Sequence, residues 1–131
     1  VDMAAELRVD NKWENLVYAR SKLVHAGASA GLDVIDVPYL DLENMDGMKK
    51  EAELVRNLGF TGKGSIHPKQ IKILNQVFTP PEDEILKAKK ILEQFNNSNT
   101  GLVVIDGKLI EKPVLREMQR KILIADKINK N

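Results

Sequence analysis

With 131 residues, 43% of them apolar, the chain is long enough to form a domain with a core of its own. Its 20 basic and 19 acidic side chains leave a net charge of +1, which argues against a dedicated nucleic-acid binder, and no apolar run approaches the roughly 18 residues of a membrane span. The absence of cysteine excludes a disulfide framework, a thiolate nucleophile and Cys-ligated zinc, and fits a reducing cytoplasm.

In chain order, Trp13, Leu16, Val17, Leu23, Val24 and Ala28 recur at helical spacing, which predicts a helix from Trp13 to Ala30 that Gly31 closes. Leu32 to Val37 reads as a short β-branched strand, ended by Pro38 and the polar run from Asp41 to Asn44. From Asp46 the helical pattern returns through Met48, Ala52, Leu54, Val55 and Leu58, and Gly59 stops it. A very short strand is expected at Gly64 to Ile66, then a helix from Pro68 to about Val77. Proline suits the first helical position because that N–H has no intrahelical partner. This tight helix–strand–helix passage sets a strand's C-terminal end and a helix's positive N-terminal end around one space, where an anionic ligand can sit.

Thr79 is the expected N-cap of the next helix, whose apolar face is Ile85, Ala88, Ile91, Leu92 and Phe95. Asn96 to Thr100 is a polar tether. Leu102 to Ile105, Asp106-Gly107 and Lys108 to Ile110 form a hairpin with the favoured Asp-Gly turn. Pro113 opens a last helix carrying Leu115, Met118, Ile122, Leu123 and Ala125. Residues 1–78 thus alternate strand and helix around a parallel sheet, and 79–131 form a helix–hairpin–helix appendage. Two clear strands leave open edges and uncovered faces. The expectation is a chain that closes a larger barrel, with further polypeptide before Val1.

Several motifs in succession carry a resemblance. They are Val1-Asp2-Met3, Leu16-Val17-Tyr18-Ala19-Arg20, Ala30 to Asp41, Leu58-Gly59-Phe60-Thr61-Gly62-Lys63, Ile66-His67-Pro68-Lys69-Gln70-Ile71, and Asp106 to Pro113. In this order and spacing they resemble the citrate lyase β-subunit family, with its malyl-CoA and citramalyl-CoA lyase relatives in the HpcH/HpaI aldolase superfamily. The resemblance implies the C-terminal part of a (β/α)8 TIM barrel plus a C-terminal extension. It also implies Mg2+, an acyl-CoA or acyl-carrier-protein thioester as substrate, and cleavage of a C–C bond in a 3-hydroxyacyl thioester. A homo-oligomer, trimeric or hexameric, is implied, with further citrate lyase subunits as partners. The implied compartment is the cytoplasm, or the mitochondrion in a eukaryote. Rival readings are a CoA-independent aldolase of the same superfamily and a non-catalytic truncated chain serving in assembly.

On the family pattern, Asp2 stands at the aspartate that holds the metal with a glutamate expected upstream of Val1. Carboxylates and waters suit a hard cation such as Mg2+. The run Leu109-Ile110-Glu111-Lys112-Pro113 places Glu111 where the family carries an aspartate that moves a proton in a neighbouring subunit's site. Glutamate can do the same transfer but is one methylene longer; a surface ion pair with Lys112 is the bland alternative. Pro38 and Tyr39 follow a strand's C-terminal end and are candidate pocket walls. Lys63 is a candidate contact for CoA phosphates or simply a solvated lysine. His67 and Pro68 are candidates for the CoA channel, His67 also reading as a general base or a structural cap. Asp36 is expected to pair with a cation such as Arg20, and Tyr18 to pack.

Overall fold

A computed structural model describes residues 2–98, 103–105 and 107–128. Val1, Asp106 of the expected turn, and residues 99–102 of the tether and first hairpin strand lie outside the described residues. The chain folds as two compact units, Val1–Phe78 and Thr79–Asn131.

The first unit runs α1 (Asp2–Leu7), α2 (Trp13–Ala30), β1 (Ile35–Asp36), α3 (Met45–Leu58), β2 (Gly62–Lys63) and α4 (Pro68–Phe78). Helices α2 and α3 both end on a glycine in the left-handed region, Gly31 at φ 67° and Gly59 at φ 113°. The amides that follow fold back, Leu32 N–H to Gly27 O at 2.9 Å and Phe60 N–H to Val55 O at 3.2 Å. At the start of α3, Asn44 Oδ1 accepts the Gly47 N–H at 2.8 Å, a side-chain cap within the polar run that ends β1.

Strands β1 and β2 pair in parallel, Ile35 opposite Gly62 and Asp36 opposite Lys63. The second strand therefore lies two residues earlier than the expected Gly64 to Ile66. Pro38 has no N–H to continue the ladder, and Gly64 N–H makes the last rung, to Asp36 O at 2.9 Å. Ser65 and Ile66 are taken instead by hydrogen bonds to α4. Each strand is followed by a helix, and these pack on each other through Met48 and Ala52 of α3 and Leu74 and Val77 of α4. Tyr39, Met45, Ile73 and Phe78 close around that cluster.

The second unit runs α5 (Glu82–Asn96), β3 (Val103–Ile105), β4 (Lys108–Ile110) and α6 (Lys112–Ile128). Thr79 does not cap α5. The N-cap is Pro81, with no side-chain cap bond, and Glu82, Asp83 and Glu84 place negative charge in the first turn, where the helix dipole favours it. The hairpin is antiparallel with Ile105 opposite Lys108, a two-residue connection in which Gly107 has φ 73°. Ile91, Ile110 and Leu115 form its core, joined by Leu92, Phe95, Ile105, Val114 and Met118.

Candidate active site

Both strands run out toward the same side, β1 into residues 37–44 and β2 into residues 64–67. In repeats of parallel strand and helix, ligands gather at the carboxyl ends of the strands. A cavity of about 220 Å3 lies at the exit of β1, walled by Asn11, Arg20, Val37, Pro38, Tyr39, Leu40, Asp41 and Glu51.

Four buried or half-buried charges converge beside it. Arg20 reaches from α2 and donates to both Asp36 carboxylate oxygens, Nε at 3.0 Å and Nη2 at 3.2 Å. Nη2 also lies 3.5 Å from Glu51 Oε1, and Trp13 stacks on the guanidinium with 5.1 Å between Cζ and the ring centre. The expected Asp36–Arg20 pair is therefore present, with a second cation on the same carboxylate. Burial pushes the Asp36 carboxyl up, but the hydrogen bonds and positive charges of Arg20 and Lys63 outweigh it and hold the group below its ordinary value.

That second cation corrects a sequence expectation. The Lys63 side chain is only 1% exposed. Its ammonium donates to Asp36 Oδ2 at 2.7 Å, Glu51 Oε1 at 2.7 Å and Val37 O at 2.8 Å. An ammonium has three N–H donors, so none remains for a phosphate. Lys63 works here as an internal counter-ion.

Pro38 and Tyr39 do line the cavity. The Pro38 ring lies over Gly64, where a Cβ would sit 3.1 Å from Pro38 Cγ. Tyr39's hydroxyl accepts from Asn44 Nδ2 at 3.3 Å. Burial first, then the charges of Asp41 and Glu51, raise its pKa, so the phenol keeps its proton to donate. The backbone of Tyr39 is held from α4: Gln70, 0% exposed, donates Nε2–H to Tyr39 O at 2.8 Å. Gln70 Oε1 accepts the Ile66 N–H at 3.0 Å and lies 3.1 Å from Ser65 Oγ.

His67 is a helix cap. Its Nδ1 accepts the Lys69 N–H at 3.1 Å in the first turn of α4, which Pro68 opens. With Nδ1 accepting, the neutral ring carries its proton on Nε2. Tyr18, expected to pack, is instead 73% exposed, with Lys22 Nζ 5.8 Å from its ring centre.

Asp2 opens α1 and is exposed, so it starts a helix where the family pattern leads one to expect a strand end. Glu111 belongs to the second unit and is exposed, its carbonyl accepting the Leu115 N–H at 3.2 Å as α6 begins. Among the described residues no group of three or more His, Asp or Glu stands ready to hold a metal ion. These residues do not by themselves fit a Mg2+ site. No described helix is long and apolar enough to cross a membrane. The second unit has its own cavity, about 420 Å3, between Leu86, Lys87, Lys90, Ile91, Gln94 and Ile105.

Sequence reasoning passed over Gln70 and Glu51, and helical spacing held the signal for both. Gln70 shares the buried face of α4 with Leu74 and Val77, at offsets of four and seven. Glu51 lies three residues after Met48 and four before Val55, both fully buried. A polar residue at a core position has to find a partner.

Comparison with known proteins agrees with this architecture. The family described as C-C bond lyase of the TIM-barrel fold matches residues 11–128. The chain is 32% identical over 116 residues to the citrate lyase subunit beta of Leuconostoc mesenteroides subsp. cremoris, covering 86% of this chain and 38% of the relative. It is 31% identical over 118 residues to the mitochondrial citramalyl-CoA lyase of Rattus norvegicus, covering 88% and 35%. The chain thus spans between a third and two fifths of these relatives. Among solved structures, Mycobacterium tuberculosis CitE in complex with magnesium, acetoacetate and coenzyme A superposes with a TM-score of 0.71 at 24% identity. The superposition covers 83% of this chain and 40% of that one, a likeness of fold. With parallel strand–helix repeats and a family match over most of its length, the chain belongs to the C-C bond lyases of the TIM-barrel fold.

Proposed function

We propose that this chain works in a lyase that cleaves a 3-hydroxyacyl thioester of the citryl, malyl or citramalyl type into a keto acid and an acetyl thioester. The observation that carries the reading is the polar cavity at the C-terminal end of β1, in a chain matched to C-C bond lyases over residues 11–128. Tyr39 and Asn11 offer donors there, and Asp41 and Glu51 offer acceptors. That mixture suits the amides and hydroxyl of a pantetheine arm, common to CoA and acyl carrier protein, better than a bare anion. Pro38 and Tyr39 wall this cavity, and His67 and Pro68 are proposed to extend the wall along which the thioester lies.

Cleavage needs a base for the substrate hydroxyl, and an acid for the enolate that departs. Glu111 is the proposed proton carrier, reaching the site of a neighbouring copy in a homo-oligomer. A bound Mg2+ would polarise the oxygen that becomes the keto group. Asp2 is proposed as one of its carboxylate ligands, the remaining ligands coming from outside the described residues. The compartment proposed is the cytoplasm, or the mitochondrion in a eukaryote.

The test is an assay of the full native chain with Mg2+ against citramalyl-CoA, malyl-CoA and citryl-CoA, following keto acid and acetyl-CoA by mass. Stoichiometric release of both products from one thioester is expected. No cleavage of any of them, together with no calorimetric binding of CoA, would remove the reading.

A further inference from the structure

We infer that Gln70 is a positioning residue whose buried amide couples the segment after β1 to the segment after β2, so that two walls of the thioester site hold one geometry. The inference rests on the lyase reading for what the walls contact, and on the Gln70 hydrogen bonds for the coupling. Gln70 sits on the buried face of α4 beside Leu74 and Val77. A leucine there would serve packing at least as well, since burying an amide confers net benefit only through its hydrogen bonds. Those bonds go to both segments. Nε2 holds Tyr39 O at 2.8 Å, and Oε1 holds the Ile66 N–H at 3.0 Å. Ser65 Oγ, 3.1 Å from Oε1 and 2.9 Å from His67 O, shares its one proton between them and carries the link to the residue that caps α4.

Of the coupled backbone, the stretch from Val37 to Tyr39 lines the cavity. Two residues before Tyr39 O, the carbonyl of Val37 is held by Lys63 at 2.8 Å. Between them Pro38 has its φ fixed by its ring and rests on Gly64. Tyr39 therefore enters the cavity from a backbone fixed on both sides by the following strand–helix repeat. Removing the Gln70 amide frees Tyr39 O and Ile66 N–H together. A ligand must then order both segments as it binds, which weakens affinity.

The test is Gln70→Met, which keeps the unbranched shape and suits the helix interior, made in the full native chain. KM for the cleaved thioester should rise about tenfold while kcat stays within about threefold. Amide hydrogen exchange should quicken in residues 39–44 and 65–67 alike. Loss of folded protein alone would lower apparent kcat and leave KM where it was. That result, or faster exchange confined to 65–67, would overturn the inference. If Gln70→Met does not fold, exchange in the wild-type chain decides: equal opening free energies in the two segments support the coupling, and unequal ones refute it. If the wild type cleaves no thioester, the lyase reading falls and that same exchange measurement still judges Gln70.

Discussion

Lys63 and Asp36 face each other across the parallel β1–β2 pair, ammonium to carboxylate at 2.7 Å, with both side chains almost wholly buried. The contact ties strand register to charge. Slipping β2 by one residue would turn Lys63 out of the network that Arg20 and Glu51 complete.

Lys63→Met removes one cation and leaves Asp36 on Arg20 alone, with Glu51 losing its 2.7 Å partner. A buried charge deprived of a partner is strongly destabilising, so the variant should lose about 3 kcal/mol. Urea denaturation gives the value directly; a loss below about 1 kcal/mol would show that water or Arg20 replaces the ammonium.

Stability should fall on acidification. Asp36 has a folded-state pKa below its ordinary 3.8, so near and below that value the unfolded chain binds the proton more readily. The contribution is present above pH 4 or so and is lost as pH drops through the folded value. Urea midpoints measured from pH 6 down to pH 2 should decline, and Asp36→Asn should decline less steeply across the same window. Parallel slopes would assign the acid sensitivity to other carboxylates.

Gly31 and Gly59 end their helices in the same backbone region but not at the same cost. At Gly31 an added Cβ meets open space, whereas at Gly59 it would lie 2.8 Å from Val24 Cγ1. Gly31→Ala should therefore cost about 1 kcal/mol from backbone strain alone. Gly59→Ala should cost roughly 1 kcal/mol more, as α2 yields. Equal thermal shifts in the two variants would contradict this.

In the second unit, Lys121 lies 2.9 Å from Glu84 and 3.3 Å from Glu117. The Glu84 hydrogen bond raises its pKa, burial opposes, and Glu117 adds to the rise. Its contribution is thus complete below the ordinary lysine value and disappears only as pH climbs through the raised one. Both carboxylates are well exposed, so Lys121→Met should cost under about 1 kcal/mol, and less still in molar salt. Circular-dichroism melts at two salt concentrations measure both effects.

On the proposed function, Asp2→Ala made in the full native chain should abolish the Mg2+ dependence proposed for thioester cleavage, with turnover down at least about a hundredfold. Metal titrations of the wild type and the variant give the comparison. Unchanged kinetics would take Asp2 out of the site.

The sequence was legible where periodicity and punctuation agree. Trp13 to Ala30 repeats apolar residues at helical spacing and stops at a glycine, and α2 has those same bounds. Strand β2 was misplaced because a two-residue strand has no period to read, and a rung supplied by Gly64 N–H leaves no trace in side-chain pattern. Pro38 and Tyr39 could be placed at a cavity because a proline after a β-branched run marks a strand's exit. Lys63 misled for a physical reason: a lysine between glycines reads as exposed, and only the fold brings Asp36 and Glu51 to its ammonium. Gln70 went unnoticed because one amide among apolar neighbours is a weak signal until its hydrogen-bond partners, 31 and 4 residues away, are located.

The stacking of Trp13 on Arg20 has a spectroscopic consequence. The chain has one tryptophan and two tyrosines, Tyr18 and Tyr39, and all three belong to the unit that ends at Phe78. Intrinsic emission excited near 295 nm therefore reports that unit alone, from an indole 5.1 Å from a guanidinium carbon. The unit from Thr79 onward is dark at that wavelength, so a melt followed by fluorescence and by ellipticity together resolves whether the two halves lose structure in one step or two.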